Sequence, residues 1–140
     1  MALPPEFLKV GSDIIGSAFE VRQSAHRGLR ESYYRDALAW ELQQRGYDAQ
    51  TEALIPALYK NISISKALQA DIVIDNSVVI ETKAIAIMSD REVRQLITYL
   101  KLSGMRLGYL INFGAKNFAI GKLSDQFPYD KGIYRIANGI

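Results

Sequence analysis

Asp71 and the tripeptide Glu81-Thr82-Lys83 carry the side chains of this chain whose types and spacing suit chemistry. They border two apolar runs, Ile72-Val73-Ile74 and Val78-Val79-Ile80, which flank Asp75-Asn76-Ser77 in the pattern of an antiparallel hairpin. Side chains alternate across a strand, so Glu81 and Lys83 share a face and Thr82 points to the other. A three-residue loop pairs Ile74 with Val78, Ile72 with Ile80 and Asp71 with Glu81. That register puts two carboxylates and an ammonium on one face. A two-residue turn at Asn76-Ser77 would pair Asp71 with Thr82 and send it across the sheet, since a one-residue slip flips the pattern. We expect the three-residue loop, because it also stacks Ile72, Ile74, Val78 and Ile80 into one apolar face.

Two carboxylates opposed across a sheet repel each other unless a cation lies between them. A hard divalent ion such as Mg2+, or Mn2+ in its place, prefers oxygen ligands and keeps several waters, so a few carboxylates suffice. A lysine beside such an ion can stabilise developing negative charge or help draw a proton from water. The rival reading is a solvated strand face with a Glu/Lys surface pair.

Composition narrows the other options. The chain of 140 residues is long enough for one domain with its own core, and its apolar and charged shares, 49% and 23%, are ordinary for a globular protein. It has no cysteine, which excludes disulfides, thiol catalysis and thiolate zinc sites. His26 is the one histidine; without a GxSxG elbow it reads as a loop residue, and it cannot form a histidine cluster. Neither a P-loop nor a GxGxxG occurs. Net charge is only +2, so any electrostatic footprint for nucleic acid must be local, with Arg91, Arg94, Lys101 and Arg106 as candidates or simply as helix-solvating charges. No apolar run is long enough to span a membrane and Met1 to Gly11 does not resemble a signal peptide, which leads us to expect no membrane partner and a cytoplasmic location.

The elements that must position the site follow in order. Residues 1–11, with Pro4-Pro5, read as an N-terminal arm. Ser12 is a plausible N-cap for a helix carrying Ile14, Ile15, Ala18, Phe19 and Arg22, ending near Ala25. A second helix runs from about Leu29 to Arg45 with Gly46 as its stop, and on it Glu31 lies above Leu38 and Leu42 on the apolar stripe. A first-turn glutamate is also what the helix dipole favours. Asp48 to Tyr59 reads as a strand with an edge or end at Pro56, and Glu52 within it as an outer acid or an exposed strand residue. Lys60-Asn61 reads as a turn with Asn61 left-handed. A helix from Asp90 to Ser103, capped by Asp90 or Ser89 and stopped by Gly104, presents Val93, Leu96, Ile97 and Leu100 to the core, with Gln95 and Tyr99 one turn apart on its flank. Leu107 to Phe113 is continuously apolar, as suits a buried parallel strand after a right-handed crossover. Asn117 to Leu123 and Gly132 to Ile136 read as an added edge or tail within a C-terminal extension, residues 117–140.

Asp71 followed by Glu81-Thr82-Lys83 resembles the signature of the PD-(D/E)XK nuclease superfamily. Within it, the chain resembles the small bacterial GxxExxY family, whose motif stands here as Gly28-Leu29-Arg30-Glu31-Ser32-Tyr33-Tyr34. Ile55-Pro56, Tyr59-Lys60, Gln95 through Leu102 and Leu107 through Gly114 extend the resemblance, which covers residues 12 to 136. Relatives usually carry a glycine- and proline-rich bend where this chain has Ser24-Ala25-His26-Arg27-Gly28. The resemblance implies an α/β fold with a restriction-endonuclease-like α-β-β-β-α-β core, a mixed central sheet and flanking helices, in a single domain over residues 1–140. It implies a metal-dependent nuclease acting on DNA more than RNA. Asp71, Glu81 and the main-chain carbonyl of Thr82 would hold Mg2+, with Glu31 as a further carboxylate, and Lys83, Gln95 and Tyr99 would complete the catalytic group. The alternative is a nuclease-like binding or assembly module without catalysis, and a homodimer is left open.

Overall fold

The structure is a computed structural model that describes residues 3–123 and 128–137; parts of the expected arm and extension at 1–2, 124–127 and 138–140 lie outside the described residues. Among the described residues three helices and six strands follow one another as α1 (Pro5–Ser24), α2 (Glu31–Gln44), β1 (Ala49–Tyr59), β2 (Ile62–Ile74), β3 (Val78–Lys83), α3 (Asp90–Ser103), β4 (Leu107–Asn112), β5 (Asn117–Ile120) and β6 (Lys131–Ala137). The stretch α2 to β4 has the expected α-β-β-β-α-β order. The strands form one mixed sheet ordered β1-β2-β3-β4-β6-β5. β3 and β4 run parallel on either side of the α3 crossover, while β1, β2 and β3 are antiparallel neighbours.

Alternation divides the sheet between two cores. Ile72, Ile74, Val78 and Ile80 pack with Ile14 and Ala18 of α1 and Leu38 and Leu42 of α2, forming the single apolar face expected of the three-residue loop. Val73 and Val79 point the other way, against Val93, Leu96 and Leu100 of α3. The hairpin turn itself is tight: Ser77 N donates to Ile74 O at 2.9 Å, with Asp75 and Asn76 both at positive φ. In the longer hairpin between β1 and β2 it is Lys60 (φ 53°), not Asn61, that takes the left-handed conformation. A register shift at Ile55/Ala57 accommodates Pro56 on the edge strand.

The expected N-terminal arm is corrected: α1 begins at Pro5, not Ser12. Pro5 falls in the first turn, where a helix needs no N–H donor, and Phe7, Val10 and Gly11 continue the buried stripe of Ile14, Ala18 and Val21 upstream. Gly11 lets the helix press on the Tyr109 hydroxyl, leaving no room for a Cβ. α3 is set as expected, with Ser89 rather than Asp90 as its cap. Ser89 and Glu92 form a reciprocal capping box, and Gly104 (φ 77°) ends the helix. The two C-terminal runs join the sheet, β6 antiparallel to β4 and β5 parallel to β6. Among the described residues no helix is long and apolar enough to cross a membrane.

Candidate active site

β3 delivers Glu81 and Lys83 at its C-terminal end, beyond the point where β2 stays hydrogen-bonded to it. The pairs Ile72 with Ile80, Val73 with Val79 and Ile74 with Val78 give the three-residue-loop register, whose continuation sets Asp71 opposite Glu81. There a side chain replaces the ladder: Asp71 Oδ2 accepts from Thr82 N at 2.8 Å and from Thr82 Oγ1 at 3.2 Å. The carboxylate is therefore fixed by the strand that carries its counterpart.

Glu81 is only 5% exposed, and its Oε1 has no hydrogen-bond partner among the described residues. Burial, then the charge of Asp71 and a side-chain hydrogen bond with it, push the Glu81 carboxyl up to about 9, against an opposing pull from Lys83. A proton is held where the pair would accept a cation. Lys83 is half-buried, and its main-chain carbonyl accepts from Phe113 N at 2.8 Å, which anchors it to the end of β4.

α3 brings Tyr99 to the same face. Burial raises its phenol, the charges of Glu81 and Asp71 raise it further, and a side-chain hydrogen bond with Gln95 acts the other way. Tyr99 is half-buried, and Gln95, one helical turn away, is exposed. Glu31 approaches from the opposite layer. Desolvation raises its carboxyl, with Lys83 pulling it down and Asp71 pushing it up, so it lies within electrostatic reach of both. The remaining motif residues hold the turn that presents it: Gly28 takes φ 80°, and Tyr34 Oη donates to His26 O at 2.7 Å while accepting from Leu29 N at 3.3 Å. His26 is a loop residue, as expected.

Arg35, one turn beyond Glu31, is a neighbour the sequence reading passed over. Its guanidinium pairs with Asp36 and Glu52, each at 2.9 Å, and its charge is felt by both Asp71 and Glu31. The i, i+4 spacing from Glu31 was its only signal. Glu52 is exposed, sits at positive φ (49°) and is engaged by Arg35. Asn112 was passed over too. It is fully buried, and its sole mark was being the one polar residue in an apolar run.

The expected basic footprint divides. Arg91 and Arg94 begin α3 at the site end of the crossover. Arg106 precedes Leu107, which pairs with Val78, five residue steps from the Lys83–Asn112 pair, or about 17 Å along a strand. Arg106 therefore lies away from the site.

Among the described residues no group of three or more acidic or histidine side chains forms a ready-made metal cage. Asp71 and Glu81 fit a metal on other grounds: a hard ion that keeps its waters needs only one or two carboxylates, and an orphaned buried oxygen beside a second carboxylate is what such an ion would satisfy.

A family model described as the PD-(D/E)XK nuclease superfamily matches residues 9–122, from within α1 to just past β5. No curated protein and no solved structure matches the chain. Nucleases of that superfamily generally use divalent metals and act on nucleic acid. The match takes in well over half of the 140 residues and all of the face around Asp71, so the chain belongs to the PD-(D/E)XK nuclease superfamily.

Proposed function

We propose that this chain is a metal-dependent nuclease of the GxxExxY type that hydrolyses phosphodiester bonds, in DNA in preference to RNA. The observation that carries this reading is the buried Glu81 carboxyl, with one oxygen lacking a hydrogen-bond partner among the described residues, facing Asp71. Burial and the neighbouring Asp71 make ionised Glu81 costly, and a cation between the two carboxyls would offset that cost.

Asp71 and Glu81 would hold Mg2+ or Mn2+. The N–H and C=O of a strand residue point to the same side, so Thr82, whose N–H meets Asp71, turns its carbonyl to that side, where it would serve as a further oxygen ligand. Bound there, the ion supplies Lewis-acid polarisation of a phosphoryl oxygen and acidification of an attacking water. Lys83, on the same face, holds the charge that develops on the phosphoryl oxygens or takes a proton from the attacking water. Gln95 and Tyr99 orient substrate or water from the α3 side. Glu31 would contribute a further carboxylate, directly or through water.

Cleavage of end-labelled DNA and RNA with Mg2+ or Mn2+ tests this. The wild type cuts with metal and not with chelator. Lys83→Ala lowers the rate by about 10²–10⁴-fold while calorimetry finds metal binding retained. Full activity in a pure, folded Lys83→Ala preparation contradicts the assignment. Metal and nucleic-acid binding with no cleavage points instead to the non-catalytic module.

A further inference from the structure

The loop entering α2 and the loop leaving β3 face each other across a slot of about 330 Å³. One wall is Gly28 and Leu29, the other is Ala84 to Ala86, and the stacked rings of Tyr34 and Phe113, 5.1 Å apart, form the back. Exposed Arg27 lies at the rim, and no acidic group among the described residues pairs with it.

Both walls are tied by hydrogen bonds. Asn112 holds Ile85 from two sides, Nδ2 donating to Ile85 O at 2.9 Å and Oδ1 accepting from Ile85 N at 3.0 Å. The same Oδ1 accepts from Gly114 N at 3.1 Å. Gly114 has no room for a side chain against the backbone of Ala84 and Ile85, so the loop lies directly on it. The facing wall is tied by the Tyr34 hydroxyl to His26 and Leu29. A preformed apolar cavity spares its ligand the cost of ordering the loops.

Its position suggests the ligand. Ala84 follows Lys83 in the chain and Leu29 stands two residues before Glu31, so the two walls of the slot adjoin the strand end and helix start that carry the candidate site. The volume is near the lower end of the roughly 300–1,000 Å³ found for small-molecule pockets, enough for one planar ring system and too little for a base pair. Apolar walls with an unpaired cation at the rim match a nucleobase and its phosphate.

We propose that this slot binds one unpaired nucleobase next to the scissile phosphate, so the substrate is single-stranded or locally unpaired nucleic acid. The proposal rests on the nuclease reading above. A base inside a duplex would first have to leave its stack, which disfavours paired substrate.

The test is binding of a single-stranded oligodeoxynucleotide containing 2-aminopurine, measured by its fluorescence on the full chain, with Ca2+ in place of Mg2+ as a weaker Lewis acid. The single strand is expected to bind at least about tenfold tighter than the same sequence in a duplex. Ala86→Trp, which fills the slot, and Leu29→Asn, which puts a neutral polar group in its apolar wall, should each weaken binding about tenfold without changing Mg2+ affinity by calorimetry. Equal affinity for single strand and duplex overturns the proposal, and so does wild-type binding by both folded variants. The wild-type comparison decides even where a variant fails to fold. Binding in the slot with no cleavage under Mg2+ or Mn2+ sinks the nuclease reading and keeps the subsite. Equal cutting of single strand and duplex, unaffected by Ala86→Trp, sinks the subsite and keeps the nuclease.

Discussion

Burying Glu81 against Asp71 makes the metal-free protein less stable wherever the carboxyl must ionise. An ordinary unfolded glutamate titrates near about 4.3, whereas folded Glu81 is pushed up to about 9. Below the unfolded value both states hold the proton and nothing is lost. Between the two values the folded state binds more protons than the unfolded one, so stability falls as pH rises, and the loss is complete above the folded value. Glu81→Gln removes this dependence. In chelator, the melting temperature of the variant should exceed that of the wild type by a margin that widens from pH 5 to pH 9; a constant margin contradicts the burial argument. The same carboxyl must shed its proton to take up Mg2+, so metal binding should tighten over that range.

Among the elements, α1 and the end of β4 carry the clearest consequences. Phe7 and Val10 are buried in the first turns of α1, and Arg106 lies over the Phe7 ring. Deleting residues 1–11 should therefore destabilise the protein by about 1.5–3 kcal/mol for each of these two side chains, read by chemical denaturation; an unchanged midpoint would mean this segment is a free arm after all. Asn112→Ala should cost about 1–3 kcal/mol for each backbone group it leaves unsatisfied at Ile85 and Gly114. The hairpin register, the α3 crossover with its caps and the buried β4 could be read from local pattern, because alternation and helical spacing are local properties. The start of α1 could not. Gly11 looks like a break until its packing on Tyr109, 98 positions away in the chain, supplies its reason.

At the scale of the whole molecule, the candidate site forms where β2 parts from β3, with α2 and α3 contributing from opposite layers. Register alone placed Asp71, Glu81 and Lys83 together. Gln95, Tyr99 and Glu31 came through the family resemblance, since nothing in their own spacing says which strand end they face. Arg35 and Asn112 were illegible because their roles depend on partners brought near only by the fold. With a net charge of +2 and cations spread over both ends of α3, few phosphates can be neutralised at once. Binding of single-stranded nucleic acid should therefore weaken gently with salt, each phosphate contact adding about −0.7 to the log–log slope. Arg27→Ala should flatten it by about one such step, and an unchanged slope would remove Arg27 from the interface.

The most direct measurement is calorimetric titration of Mg2+ and Mn2+ into the wild type and Asp71→Ala, each alone and with a single-stranded oligonucleotide. The account predicts binding to the wild type, strengthened by the oligonucleotide, and its loss in Asp71→Ala with the fold intact. Equal metal binding by both proteins, or none by the wild type even with oligonucleotide at millimolar metal, would contradict it.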